Sequence, residues 1–310
     1  MVLGVGGLVS GQAAAGVGLP QLGGEVTVAD DLDYAPTGEF IFSSVFHAGE
    51  YLADPLGEWY PYYAPHENPG EISFVYANSL AGPWTGYDAN SVVSNVWAPI
   101  YSVPHVASPE AFWNEQEQHL FLYCHGVDTT TRYATSRDGA TFEHGGVTVT
   151  TAMTGPDATE AFCAGCFEHP GLSSPYAYGM SFMENTTQNI RRVRVAESVD
   201  GRSWSVRPTQ ILTLTAGEAN VSGANLLERK GQYFITYHAS EGVSYARTID
   251  PGLATVGDRQ VLHRSSGIGD DVGRIAAPEI VVDGDRSFLL CESDARLEAT
   301  IRWAATAPAS

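Results

Sequence analysis

Histidines recur where aromatic segments of the chain end. Residues 62–66 (YYAPH), 121–126 (FLYCHG) and 235–238 (ITYH) each run from apolar or aromatic side chains to an imidazole. A single histidine in such a position is more often a satisfied hydrogen-bonding residue than a catalytic one. Several histidines in one cavity could move protons or bind a polar substrate, because a neutral imidazole has both a donor and an acceptor.

Two glutamates share a local motif. Glu110 and Glu279 each follow a small residue and a proline, in the tripeptides SPE and APE. Two carboxyl groups can act as general acid and general base when their surroundings separate their pKa values. The motif could instead be a packing device of a repeat, in which the carboxylate binds backbone N–H groups. Both interpretations stand at the level of the sequence.

Other polar residues could complete such a site. His105 and Arg274 each lie a few residues before one of the two Pro-Glu motifs, and Arg132 opens an apolar segment. The arginines could bind substrate or simply balance nearby carboxylates. Polar and charged side chains gathered in one cavity would indicate a site, because burying them elsewhere requires partners.

The elements that position these residues form a repeat. Aromatic segments end about every 55 residues, at His66, His125, Phe182, His238 and Glu292. In each unit an apolar strand and a turn precede the aromatic strand, and a strand of alternating small and large residues follows it. In three units a hairpin follows, and two of these contain S-x-D-G-x-x-[FW], in which Asp-Gly favours a tight turn.

These units predict an all-β protein, a five-bladed β-propeller with four-stranded antiparallel blades. A β-sandwich is the alternative, but it does not explain so regular a period. The fifth unit ends after its third strand, and residues 24–30 (GEVTVAD) could supply the fourth. We expect residues 21–310 to form this single domain. Residues 1–20, apolar and rich in glycine, are predicted to be a flexible or signal-like segment.

In a propeller blade the innermost strand begins at the rim where the second strand ends. Five such points surround one mouth of the central channel. The repeat therefore predicts a common funnel for residues that are far apart in the chain: His66, His105, Glu110, His125, Arg132, His238, Arg274 and Glu279. Five aromatic residues near this rim would suit stacking on a substrate ring, although core packing is the default for most of them: Tyr62, Tyr63, Trp97, Tyr101 and Tyr237.

The chain resembles the five-bladed propeller glycosidases, the superfamily that includes glycoside hydrolase families 43, 32, 62 and 117. The resemblance covers residues 30–306 and rests on the blade pattern, the [SA]-P-E motifs, and residues 73–84 (SFVYANSLAGPW) and 131–142 (TRYATSRDGATF). It implies a glycoside hydrolase that acts on an oligo- or polysaccharide at the central funnel. It further implies that a calcium ion could lie in the channel beside His238, and no cofactor is expected to be required.

The chain departs from family 43 where the catalytic aspartates of that family would stand. Blade 1 opens with residues 42–46 (FSSVF) and blade 3 with residues 163–169 (CAGCFEH), and neither contains an aspartate. Asp31 and Asp33 lie just upstream of blade 1. The hydrolase hypothesis therefore takes Glu110 and Glu279 as the carboxylate pair, Asp33 as a further candidate base, and His105 as a catalytic candidate. The other residues of the funnel, with Tyr101, would bind substrate.

Two alternatives come from other functional classes. A polysaccharide lyase would use a histidine or tyrosine as base and an arginine or histidine to neutralise a uronate, and His105, His125, Tyr101 and Arg132 offer those types. A non-catalytic glycan-binding propeller would have near-identical pockets between blades. The opening positions of the five units differ from one another, which favours one asymmetric central site: Ser44, Glu110, Gly165, Asn225 and Glu279.

The charge of the chain excludes some partners. The formal net charge is −20, with only 16 lysines and arginines in 310 residues. Such a surface repels nucleic acid and anionic membranes, so neither is expected as a partner. The acidic balance would suit a high-salt organism, and secreted and cytoplasmic locations both stay open, as does the oligomeric state. The four cysteines do not suggest a disulfide framework.

Overall fold

The computed structural model describes residues 27–28, 39–127, 129–215, 217–268, 272–295 and 299–306. Apart from the short α-helix Ala48–Tyr51 and the 3-10 turn Thr151–Met153, the regular structure of this part is β-strand. No helix in it is long and apolar enough to cross a bilayer. The predicted segment 1–20 and the candidate base Asp33 lie outside the described residues.

Five antiparallel sheets of four strands each confirm the predicted five-bladed propeller. From the innermost strand outwards, the blades consist of Ile41–Phe46, Tyr60–Ala64, Ser73–Tyr76 and Thr85–Gly86 (blade 1); Val106–Asn114, His119–Gly126, Thr130–Ser136 and Glu143–Thr150 (blade 2); Ala158–Glu168, Tyr178–Thr186, Arg191–Ser198 and Trp204–Leu212 (blade 3); Val221–Arg229, Gln232–Ala239, Val243–Ile249 and Gln260–Arg264 (blade 4); and Ile275–Asp283, Arg286–Ser293, Thr300–Ala305 and Thr27–Val28 (blade 5).

The N-terminal strand closes the ring, in agreement with the sequence prediction. Thr27 and Val28 pair with Trp303 and Arg302 of the third strand of blade 5. Blade 5 therefore combines both ends of the described chain, and its third strand does not remain an open edge. An additional hairpin, Val96–Trp97 and Tyr101–Ser102, lies between blades 1 and 2 and was not predicted.

The hydrophobic cores lie between neighbouring blades. Side chains alternate across a strand, so one strand serves two interfaces. In the second strand of blade 2, Leu120 and Leu122 pack against blade 1, whereas Phe121 and Tyr123 pack against blade 3. The same alternation buries three of the five aromatic residues considered for substrate stacking, so Tyr62, Tyr63 and Tyr237 have the core-packing role that was their default.

The S-x-D-G motif joins adjacent blades through a tyrosine. In blade 2 the Asp138 carboxylate accepts hydrogen bonds from the backbone N–H groups of Ala140 and Thr141, and Gly139 has a φ of 73°. The Tyr62 hydroxyl of blade 1 donates to the Gly139 carbonyl at 2.5 Å. The equivalent turn of blade 3 receives the same contact from the second strand of blade 2. The turn thus closes a hairpin and also fixes its blade to the preceding one.

Replacing Tyr62 with phenylalanine should lower stability. The variant leaves the buried Gly139 carbonyl without this donor, which costs about 1–2 kcal/mol and about 2–4 °C in Tm. Thermal melts followed by circular dichroism provide the measurement. Tyr87→Phe is the control, because that ring stacks on Phe74 and its hydroxyl has no hydrogen-bond partner in the described part of the chain. Equal melting temperatures for the two variants would contradict this role of Tyr62.

Candidate active site

Each innermost strand contains a β-bulge at the same place. The pairing with the second strand shifts just before Ser44, Glu110, Gly165, Asn225 and Glu279, one residue in each blade. Two residues upstream, Phe42, Ser108 and Ala277 have positive φ, a conformation that is costly for any residue with a Cβ. A bulge changes the direction in which the side chain that follows it points. We call these five residues the channel-position residues. Their residue types differ between most of the blades.

The channel-position residues link neighbouring blades through backbone N–H groups. Glu110 accepts from the N–H of Cys166 in blade 3 at 2.8 Å, and Glu279 accepts from the N–H of Val45 in blade 1 at 2.9 Å. Ser44 likewise accepts from the N–H of Ala111 in blade 2 at 2.9 Å. In all three cases the donor directly follows the channel position of the next blade. The packing interpretation of the [SA]-P-E motif is therefore correct, whatever else these carboxyls do.

A cavity of about 300 Å³ occupies the predicted mouth of the channel. The starts of the innermost strands and the ends of the second strands line it, as the blade geometry requires. We call it the mouth cavity. Its polar lining includes four carboxyls, four imidazoles and two guanidiniums: Glu110, Glu160, Glu279, Glu292, His66, His105, His125, His238, Arg191 and Arg274. Seven of these ten residues were predicted, whereas Glu160, Arg191 and Glu292 were not assigned to the site.

Glu110 and Glu279 form a coupled pair of buried carboxyls. Burial raises the pKa of Glu110 well above its ordinary value, and the nearby charge of Glu279 raises it further. Burial also raises the pKa of Glu279, to about 7. Both oxygens of Glu110 are occupied, one by Cys166 and the other by the Ser44 hydroxyl. The Ser43 side chain lies near the Glu279 carboxyl and opposes the rise in its pKa, but Oε2 of Glu279 is buried and makes no hydrogen bond of normal geometry with a described residue, so this carboxyl is the better proton carrier.

His66 is held by a buried glutamate that the sequence analysis missed. Glu39 is fully buried, and its two oxygens accept the backbone N–H and the Nδ1–H of His66, each at 2.8 Å. A neutral His66 held in this way presents the lone pair of Nε2, which is the tautomer a general base requires. No sequence signal connects the two residues, because Glu39 lies just before the innermost strand of blade 1 and outside any motif.

His105 and His125 lie side by side in the lining. Their ring centroids are 5.4 Å apart, and Phe162 lies 5.2 Å from the His125 ring. Burial, with the nearby His105 and His66, lowers the pKa of His125 to about 3. His125 is therefore neutral at ordinary pH and can contribute a hydrogen bond but not a charge.

His238 does not fit the role of a metal ligand. Its Nδ1 accepts the backbone N–H of Ala277 at 3.0 Å, so the proton of the neutral ring resides on Nε2. Burial and the positive charges of Arg274 and Arg191 lower the pKa of His238 to about 3, which keeps the ring neutral. A ring nitrogen that carries a proton cannot bind a metal, and two neighbouring guanidiniums oppose a cation. No group of three or more His, Cys, Asp or Glu side chains in the described ranges could hold one.

Two arginines face the cavity beside single carboxyls. Arg191 lies 3.7 Å from Oε2 of Glu160, and Arg274 lies 3.2 Å from Oε2 of Glu292. Glu292 is buried and also accepts the backbone N–H of Phe42. Burial raises the pKa of Glu292, although the charge of Arg274 opposes this shift.

Arg132 and Tyr101 are not part of the lining that the structure describes. The Arg132 guanidinium lies over the Tyr101 ring, 4.9 Å from its centroid, and His144 contacts the same ring. The small hairpin between blades 1 and 2 carries Tyr101 away from the channel. The predicted substrate-binding role of these two residues thus has no support from their position.

Solved structures of the same fold are numerous, but no family model and no curated protein matches the chain. A thermostable family-43 glycoside hydrolase is similar over 65% of this chain and 68% of its own, with 13% identity and a TM-score of 0.52. An exo-1,5-α-L-arabinanase from a bovine ruminal metagenomic library is similar over 88% and 95%, with 10% identity and a TM-score of 0.60.

An exo-β-1,3-galactanase from Phanerochaete chrysosporium, solved with β-1,3-galactotriose, is similar over 86% of this chain and 60% of its own. Its identity is 11% and its TM-score 0.60. These similarities show that the chain has the five-bladed propeller fold that such glycoside hydrolases share. At this level of identity they do not assign a substrate or a catalytic residue.

Replacing Glu279 with glutamine should stabilise the protein increasingly as the pH rises. The native pKa of Glu279 is about 7 against an ordinary value of 4.5. Protonation of Glu279 stabilises the folded protein. This stabilisation is fully present at pH values below the pKa of the unfolded chain, and it is lost as the pH rises through the folded pKa of about 7. The neutral amide of glutamine does not undergo this loss, so at high pH the variant should gain at most about 3 kcal/mol in free energy of unfolding relative to the parent protein.

Chemical denaturation at pH 5 and at pH 8.5 tests this expectation for Glu279. The difference between Glu279→Gln and the parent protein should shift in favour of the variant at the higher pH. Glu228→Gln is the control, because Glu228 is exposed at the far end of a strand. A difference that does not change with pH would contradict the assignment of a raised pKa to Glu279.

Proposed function

We propose that the protein is a glycoside hydrolase that cleaves an oligo- or polysaccharide bound in the mouth cavity. The observation that carries this proposal is the convergence of four carboxyls with imidazoles and guanidiniums in one cavity. Hydrolysis of a glycosidic bond needs a protonated carboxyl on the leaving oxygen and an ionised carboxylate on the opposite side. The arabinanase and galactanase among the structural neighbours support a carbohydrate substrate.

Glu279 is the proposed general acid. With a pKa of about 7 it retains its proton near neutral pH, and only one of its oxygens is occupied by a backbone N–H. A carboxyl with its pKa near the working pH both holds the proton and releases it to a leaving oxygen. Glu110 lies close enough to Glu279 for the two charges to interact, but both of its oxygens are hydrogen-bonded. We therefore give Glu110 a positioning role rather than the base role.

Glu160 is the proposed carboxylate partner. Its side chain is 21% exposed, against 2% for Glu292, so water can reach it. One oxygen of Glu160 accepts from the Asn185 amide at 2.8 Å, and Arg191 lies beside the other. The amide donor and the neighbouring guanidinium orient this carboxylate in the cavity. This carboxylate can activate a water or attack the sugar carbon directly.

Glu279→Gln and Glu160→Gln should each lower kcat on a cleaved glycan by about 10²–10⁴-fold, the usual contribution of a general acid or base. Initial rates on a panel of neutral and acidic oligosaccharides provide the measurement, with products identified by mass. Glu228→Gln, outside the cavity, should keep full activity. Full activity of both cavity variants on every cleaved glycan would contradict the assignment.

A lyase is the second candidate, and the Glu39–His66 pair favours it. An imidazole oriented by a buried carboxylate is suited to remove the proton next to a uronate carboxyl, and cationic groups in the same cavity can stabilise the charge that develops. In this candidate His66 would be the base, and no water would be added to the product.

The mass and the ultraviolet absorbance of the product separate the two candidates. A hydrolase yields products heavier by one water, whereas a lyase yields an unsaturated uronate that absorbs in the ultraviolet. If elimination occurs, His66→Gln should abolish it while Glu160→Gln retains most of it. Hydrolytic products that persist in His66→Gln would contradict the lyase candidate.

A further inference from the structure

The two arginines of the mouth cavity use fewer of their donors than Arg202 and Arg207, which lie outside it. Arg202 and Arg207 each bind both oxygens of one glutamate and donate further to a tyrosine hydroxyl or to carbonyls. Arg191, in contrast, has one side-chain contact, at 3.7 Å, and its buried Nε has no partner in the described part of the chain. Among the residues that the structure describes, Arg274 has a single side-chain hydrogen bond, at 3.2 Å.

A guanidinium has five donors in a planar fork that matches an oxyanion. Both arginines therefore have donors left for a ligand. Their side chains are also accessible, 40% exposed for Arg191 and 41% for Arg274. Arg202 and Arg207 each bind both oxygens of a glutamate, whereas Arg191 and Arg274 each reach only one oxygen of their partner.

His238 adds a third donor to the lining that contains these two arginines. Its Nδ1 is occupied by the Ala277 N–H, so Nε2–H is the group that remains for the cavity. The charges of Arg191 and Arg274 both act on this ring, which places it within electrostatic range of each. The three residues come from the neighbouring blades 3, 4 and 5, and all of them line the mouth cavity.

We propose that the mouth cavity selects a sugar carrying an oxyanion, a uronate carboxylate or a sulfate ester, held by Arg191, Arg274 and Nε2–H of His238. The inference rests on the proposed carbohydrate site and holds whether the bond is hydrolysed or eliminated. The guanidiniums of Arg191 and Arg274 supply positive charge in a protein whose net charge is −20, and they can attract an anion locally. Because the His238 imidazole is neutral, it adds a directional hydrogen bond to the anion without repelling the two guanidiniums.

Binding of small probes tests the inference without turnover. Galacturonic and glucuronic acid, their methyl esters, galactose 6-sulfate and galactose are titrated calorimetrically at low salt. The acids should bind at least about tenfold more tightly than their esters, because only a charged carboxylate can accept charge-assisted hydrogen bonds from the two guanidiniums. The preference should weaken at high salt. Comparing uronate with sulfate identifies which oxyanion the site takes.

Substitutions then assign the preference to the named residues. Arg191→Gln and Arg274→Gln should each weaken binding of the anionic probe about tenfold and leave the methyl ester unchanged. Arg274→Lys should recover part of the loss, because it keeps the charge but not the fork. Arg229→Gln is the matched control, since this arginine contacts Ser287 and lies at the far end of the blade 4 strand. Thermal melts show that the variants fold.

Three outcomes would overturn the inference: equal affinity for acid and ester, an acid preference that survives in the Arg191→Gln/Arg274→Gln double variant, or no binding of any anionic probe. The proposed function fails separately. A protein that prefers anionic probes but cleaves nothing supports the anion site and counts against the hydrolase. A protein that cleaves only neutral glycans and does not bind the acids supports the hydrolase and counts against the anion site.

Discussion

Backbone N–H groups that face the central channel must all find acceptors, and this requirement organises the ring. In four blades the side chain of a channel-position residue binds the N–H that follows the channel position, and a buried N–H must be satisfied. In three blade pairs the preceding blade supplies the acceptor, through Ser44, Glu110 or Glu279. Where Gly165 offers no side chain, Asn225 accepts the N–H of Leu226 within its own blade instead. The ring is thus held at its centre as well as through its apolar interfaces.

The same requirement creates the chemistry. The carboxyls that satisfy the channel are buried, and burial raises their pKa values. Glu110, with both oxygens bound, remains a structural group. Oε2 of Glu279 makes no hydrogen bond of normal geometry with a described residue, so a residue that closes the ring can also carry a proton. Structure and reactivity are therefore coupled at the same side chains.

The groups that line the cavity have a different balance of charge from the chain as a whole. The protein is strongly acidic, yet its channel mouth combines carboxyls that burial pushes towards their neutral forms with guanidiniums that always stay charged. Two of the histidines contribute no charge, since burial keeps His125 and His238 neutral. The cavity can therefore present donors and a protonated acid together, an arrangement that ordinary surface residues of this protein would not provide.

Local patterns in the chain were enough to predict the repeat, the blade count, the closing N-terminal strand and the rim where the histidines meet, because strand alternation and turn chemistry are local. They also placed seven residues of the polar lining, since blade geometry fixes which strand ends share a mouth. Other features arise only in the folded chain. The pairing of Glu39 with His66, the inward turn of Arg191, and the stacking of Arg132 on Tyr101 of the small hairpin all depend on bulges, register and loop paths. Those features set where a side chain points, and no local pattern of residue types records them.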